Sequence, residues 1–183
     1  MIQLAQLLAI AVSVALVLAL VIFVRRAAKL VADTRDAERF KRRVADLSKR
    51  ADESLESIAG RIDAVRRHTT SAEDIGESIA EAREAVAQYE DEARALRGPA
   101  GAREIRDAIV GELGRAARAL EMAEHGCEIL GSARAGSREL EAQTSIKRGY
   151  LNVLHAREAI ARHVVRSTAL GKRETGGLFE RRA

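Results

Sequence analysis

Four histidines, one cysteine and a large set of carboxylates are the residues of this chain whose types suit catalysis or metal binding, so their spacing is the first thing to weigh. His125 and Cys127 are two positions apart, which on one helix turns them about 200° from each other and keeps them from sharing a metal ion. His155 and Glu158 are three apart and reach one helix face, but two ligands fall short of the set of four that a zinc site uses. Glu121 and Glu124 stand near His125, yet nowhere does the chain show the Glu-x-x-His order that carboxylate-bridged metal bundles place on facing helices. Glu73, Asp74, Glu77, Glu81 and Glu84 recur at helical spacing and read as a solvated helix face. Cys127, being single, permits no internal disulfide; it is expected as a small buried apolar side chain, and its free thiol suits a reducing compartment. No phosphate-cradling, dinucleotide, metalloprotease or nucleophile-elbow motif occurs. The chain therefore does not read as an enzyme, and no catalytic residue, metal site or cofactor is expected.

Residues 144–157 fit a plain amphipathic helix least well. They hold a mid-helix glycine, one of the two tyrosines, the only asparagine and a histidine. Glycine beside Tyr and Asn on a helix marks close helix packing in one reading. In the other, Arg148, Tyr150, Asn152 and His155 form a partner-docking face.

The elements that would carry these residues are helical. The 183 residues include 35 alanines but a single proline, no tryptophan and 3% aromatics, a composition that favours helix and a core of Ala, Leu, Ile and Val over any β-sandwich or barrel. An apolar seam runs through Ala37, Phe40, Val44, Leu47, Ala51, Leu55, Ile58, Ile62 and Val65, with a stutter between Ala51 and Leu55. A capping box, Thr70 with Glu73 or Ser71 with Asp74, opens a second helix near Ala72 whose seam is Ile75, Ile79, Ala82, Val86, Tyr89, Ala93 and Leu96. Gly98 and Pro99 end it. A third helix spans about residues 102–130 through Ile105, Ile109, Leu113, Ala116, Leu120, Ala123, Cys127 and Leu130, with Gly111, Gly114 and Gly126 costing stability unless they admit a close neighbour. Ser137 is the expected N-cap of a fourth helix reaching about Leu170.

Residues 2–24 contain no charge, and a helix of that length covers the roughly 30 Å hydrocarbon layer of a bilayer. Arg25, Arg26 and Lys29 follow at once, so the run is expected to be a retained transmembrane anchor with the N-terminus outside and the rest on the cytoplasmic side of the plasma (inner) membrane. Alanine-rich ridges in the run, Ala5/Ala9/Ser13 and Ala11/Ala15/Ala19, follow from the general abundance of alanine. The expected organisation is a transmembrane anchor over 1–24, a basic juxtamembrane helix over 25–36, a cytoplasmic helical domain over 37–170 and a basic tail over 171–183.

Charge sorts by segment: residues 25–70 carry 13 basic and 8 acidic groups, 71–97 carry 3 and 8, 98–136 carry 5 and 6, and 137–183 carry 10 and 5. Helices of alternating sign pack side by side, which favours an antiparallel up-down bundle of about four long helices. Seams of two residues in seven are narrower than a bundle's usual face and leave an extended coiled coil or an oligomer as the alternative. In an up-down bundle the tail, with Lys172, Arg173, Arg181 and Arg182, returns to the bilayer surface and meets anionic lipid headgroups there. A sequence pI of about 9.6 raises nucleic acid as a partner, but stacking aromatics are nearly absent and acids interleave with the bases.

These features are those of an all-α, single-pass, membrane-anchored interaction protein, a scaffold, adaptor or assembly factor working through a protein partner or self-association. A membrane signalling transducer whose long helix carries a conformational change is the second reading, and an enzyme with an unfamiliar helical site the third. The 26 arginines against 5 lysines point to a GC-rich bacterial genome.

Overall fold

The computed structural model describes residues 2–99, 101–132 and 135–170, with side chains from residue 16 onward except those of residues 30 and 135. Every regular element among them is helical: α1 (Ile2–Arg66), a 3-10 turn (Glu73–Ile75), α2 (Gly76–Ala95), α3 (Ala102–Gly131) and α4 (Ala135–Thr168). The helices form a ring in which α2 lies between α1 and α3, and α4 between α3 and α1, while α1 and α3 barely touch across the diagonal. With short connections this is an up-down-up-down bundle, and the seams meet in one common core.

All nine seam residues of α1 from Ala37 to Val65 are buried, including both sides of the stutter. On α2, Ile79, Ala82, Val86 and Ala93 are buried and Tyr89 is half-buried. The expectation of narrow seams fails on α3. Ala119, Gly126 and Ile129 are buried besides the expected line, and the face widens toward the three in seven of a closed bundle because alanine and glycine bury without showing in an apolar count. The core of α4 is Ala142, Ile146, Val153, Ala156 and Ile160.

Three boundaries differ from expectation. Residues 25–36 are no separate element, since α1 runs unbroken from the apolar run into the bundle. In place of a capping box, the Ser71 hydroxyl accepts the Glu73 N–H at 3.2 Å and starts a single 3-10 turn. Ser137 lies inside the first turn of α4 rather than at its cap, and the helix ends at Thr168. The far end of α1 closes on His68, at φ 59°, with the Thr69 N–H donating to Ala64 O at 2.9 Å and the His68 N–H to Val65 O at 2.9 Å. This is the paired bonding of a Schellman stop, with histidine at the left-handed position that glycine usually takes. At the opposite end Gly101, at φ 85°, turns the chain into α3, and Gly98 lies so close to Phe40 and Ala102 that a Cβ there would come within 3 Å of both.

Glycine explains the closest helix pair. A Cβ on Gly149 of α4 would stand 2.7 Å from Ala119 O and 2.9 Å from Ala123 N, and one on Gly126 of α3 would stand 2.8 Å from Ala142 O. The α3 and α4 backbones therefore approach to a distance only glycine permits, whereas Gly111 faces open space. The packing account of residues 144–157 holds for Gly149.

Residues 16–24 project beyond the bundle. Among the described residues no helix is long and apolar enough to cross a membrane, and the described side chains cover nine residues of the uncharged run. The tail over 171–183, with Lys172, Arg173, Arg181 and Arg182, lies outside the described residues, as do the side chains of Ala5, Ala9, Ser13, Ala11 and Ala15.

Gly149→Ala is expected to destabilise the bundle by about 1–3 kcal/mol through the forced separation of two backbones, and Gly111→Ala to stabilise it by about 0.5–1 kcal/mol. Urea unfolding of the two variants, followed by circular dichroism, checks the opposite signs.

Candidate interaction surfaces

Each interface of the ring carries an arginine bound to carboxylate. Arg50 of α1 reaches both oxygens of Glu92 on α2 at 2.8 Å, with its guanidinium 5.5 Å from the Tyr89 ring. Tyr89 in turn shares a 3.0 Å hydrogen bond with Ser54. Arg83 of α2 donates to Glu124 at 2.6 Å and Glu121 at 3.0 Å on α3. Arg157 of α4 donates to Asp52 at 2.8 Å and approaches Glu56 at 3.3 Å on α1, and Arg166 of α4 donates to Glu104 of α3 at 2.9 Å. Such partly exposed pairs contribute about 0–1 kcal/mol each, so they select which helix lies beside which more than they hold the fold.

The acid and histidine groups weighed in the sequence are dispersed by this pairing. Glu121 and Glu124 serve Arg83, Glu158 pairs with Arg162 at 3.0 Å, and His125 faces Glu128 at 3.8 Å while Cys127 is buried. Glu73, Asp74, Glu77, Glu81 and Glu84 are all exposed. Among the described residues no group of three or more His, Cys, Asp or Glu is placed to hold a metal ion. Burial, with Glu124 and Glu128 nearby, raises the Cys127 thiol to about 11, which leaves it protonated and unreactive at neutral pH.

The four candidate docking residues split. Tyr150 turns toward α1, where the Arg66 guanidinium lies 5.5 Å from its ring, and it packs on the core. Arg148 and His155 are exposed and Asn152 is half-buried beside them, a line at spacings of four and three that also carries the exposed Leu151. The remaining exposed large hydrophobics of α4 are Leu140 and Val165, so the outer face of α4 is the bundle surface richest in them.

The cations that follow the apolar run stand at the end where α1 leaves the bundle. Arg25, Arg26 and Lys29 are exposed on α1 beyond Ala37, the first buried residue. Two shallow grooves meet at Leu96 on this end, one of about 470 Å³ lined by Arg42 and Arg43 together with the Arg50 partners Asp46 and Glu92, the other of about 550 Å³ lined by Arg97, Arg103 and Arg106. Arg42 and Arg43 are adjacent in sequence, whereas Arg97 and Arg103 join them only through the fold.

One titratable group was missed. His163 packs at the α3–α4 interface with Nδ1 buried and without a hydrogen-bond partner. Burial lowers its pKa, Arg166 and Arg162 lower it further, and Glu112 opposes them. No sequence pattern marks it, because its burial arises from a neighbouring helix.

No family model, curated protein or solved structure matches this chain.

Because the folded state binds a proton at His163 less readily than the unfolded chain, His163 costs stability as pH falls through the ordinary histidine range and costs nothing above it. His163→Leu is expected to lose less stability than the unaltered protein between about pH 7 and about pH 5, measured as the shift in urea midpoint, while the two differ little in slope above about pH 7.5.

Proposed function

We propose that this chain is a single-pass, membrane-anchored helical interaction protein whose bundle faces the cytoplasm. The observation that carries the reading is the exposure of the apolar side chains of residues 16–24. The eight large ones stand 44–70% exposed all round α1, and Ala19 between them is exposed as well. A helix apolar on every side needs an apolar surrounding, and the uncharged run extends from residue 2 to residue 24, a bilayer's thickness. Arg25, Arg26 and Lys29 at the bundle end of the run favour the cytoplasmic side for the bundle.

A scaffold or adaptor role rests on the same bundle. Its seams satisfy one another, which leaves the outer face of α4, with Arg148, Leu151, Asn152 and His155, as the surface for a protein partner or a second copy. The basic tail, with Lys172, Arg173, Arg181 and Arg182, leaves α4 near the end where α1 departs and is suited to anionic headgroups. The unbroken course of α1 through Arg66 favours signal transmission as the second reading, since a single helix joins the apolar run to the bundle.

In a bacterial host the full chain is expected to stay with membranes after alkaline carbonate washing and to float with them. A Val12→Arg, Leu16→Arg variant should be released, each arginine adding about 2.5–3.5 kcal/mol near the centre of a span. Full extraction of the unaltered chain by carbonate defeats the reading. For the docking face, a photo-crosslinking residue at Leu151 should form adducts in those membranes while one at the exposed Asp74 forms none.

A further inference from the structure

Most cations with described side chains are paired, within one helix or between helices; eleven are not, and three of those, Arg118 on α3 and Lys147 and Arg148 on α4, lie along the bundle. Arg50, Arg83, Arg157 and Arg166 hold carboxylates between helices. Arg42, Arg43, Arg97 and Arg103 are exposed and make no hydrogen bond or ion pair among the described residues. The same is true of Arg25, Arg26, Lys29 and Arg35 on the stretch of α1 outside the bundle. All eight lie at the end from which α1 leaves. That common place is fixed by Gly98 against Phe40 and by Gly101 against Leu170. At the distal end the C-terminal arginines of α1, Arg66 and Arg67, are both bound to Asp63, and Lys147 is the one exposed cation without a partner near them among the described residues.

Distance decides what such an end can reach. From Val24 to Phe40 is sixteen residues, about 24 Å of helix, whereas headgroups extend only some 5–8 Å past the hydrocarbon and screening cuts charge effects within about 8–10 Å. With α1 upright, Arg25, Arg26 and Lys29 sit among headgroups, but Arg42, Arg97 and Arg103 hang beyond range of them. The described side chains of residues 25–36 are exposed apart from the half-buried Asp33, and the Thr34 hydroxyl donates back to Val31 O at 2.9 Å, a local bond that competes with the helix and commonly bends it. A lean at this bare stem brings the grooves at Leu96 down to the leaflet.

We propose that the bundle leans onto an anionic leaflet through Arg42, Arg43, Arg97 and Arg103, so that the charge of the lipid surface sets its posture. This rests on the anchor reading of residues 2–24. The partner is a lipid surface because the uncharged run brings one to within the length of the stem, and a field of unpaired cations facing it gains from every anionic headgroup in range.

The test uses the full chain in a Cys127→Ala background, with a donor dye on Ala95→Cys beside the grooves or on Asp74→Cys at the distal end, and an acceptor dye on the headgroups. Vesicles of phosphatidylcholine alone are compared with vesicles holding about a third phosphatidylglycerol. Energy transfer from position 95 should rise roughly twofold on the anionic vesicles and fall back in about 1 M salt, where the screening length is about 3 Å, while position 74 changes little. A variant with Arg42→Gln, Arg97→Gln and Arg103→Gln, whose helicity is checked by circular dichroism, should show no rise. Equal transfer at position 95 on both vesicles, or a rise that salt leaves intact, overturns the lean while flotation with neutral vesicles still sustains the anchor. Failure to float with neutral vesicles overturns the anchor reading, and the lean falls with it.

Discussion

The bundle depends on how near α3 and α4 come to each other. With five Phe and Tyr residues in the chain and no Trp, its interior cannot be filled by large side chains reaching across a wide gap. Dense packing then requires the backbones themselves to close in. Gly126 and Gly149 allow this by leaving out the Cβ that would meet Ala142 O and Ala119 O, and Ala119, Ala123 and Ala142 line the contact with single methyl groups. The penalty that glycine carries inside a helix, about 0.5–1 kcal/mol at each position, is offset here by dispersion contacts along two long helices. From that pair outward the side chains grow: Leu113, Leu120 and Ile146 toward the centre, Phe40 and Leu55 where α1 completes the ring.

How much of this was legible in the sequence varied with the kind of signal. Phe40, Val44, Leu47, Leu55 and Ile62 are large and periodic, and period alone placed them in the core. Gly98 and Pro99 likewise marked a real turn. The width of the α3 face was not legible, because alanine lies on every side of these helices and burial of Ala119 depends on where Gly149 arrives. Start points were off for a related reason: Ser71 and Ser137 both have capping chemistry, but the serine that caps is chosen by where the chain leaves the preceding helix. Among the site residues, exposure of Arg148 and His155 followed from helical phase, whereas Tyr150 turned inward because Arg66 and the core accept its ring. His163 and the pairing of Arg97 and Arg103 with the Arg42 end are tertiary facts that no local spacing encodes.

Charge supplies what apolar pattern does not, namely the order of the helices around the ring. Four alanine-rich helices with similar faces would pack in several orders at similar cost. The acidic α2 sits between α1 and α3, giving Glu92 to Arg50 and receiving acids from α3 through Arg83, and the basic α4 meets α1 where α1 is locally acidic, at Asp52 and Glu56. A ring of the other order would set Arg157 and Arg50 without these acids. The pairs are weak singly, yet a wrong order loses all of them together, and that difference is what specificity requires. The cations left over are therefore informative. They are not needed to order the helices, and eight of the eleven gather at one end.

The position of the stutter bears on how α1 can act on the rest. At Ala51 and Leu55 the seam steps by four twice, which advances the buried face of α1 around its axis. Around that level lie Arg50 on Tyr89 and Glu92, Ser54 on Tyr89, and Arg157 on Asp52 and Glu56, so polar contacts to both neighbours hold α1 where its phase changes. Toward Phe40, among the described residues, the cross-element constraint of comparable closeness is Gly98. A turning or tilting force that arrives along α1 from the apolar run thus meets apolar contacts first, at Phe40, which permit small slides, and directional contacts only from Arg50 inward. Those contacts resist rotation about the α1 axis more than displacement of its outer end. The bundle is accordingly suited to a change of posture about the stem with its four-helix packing intact, and poorly suited to a rotation of α1 passed on to α2 and α4.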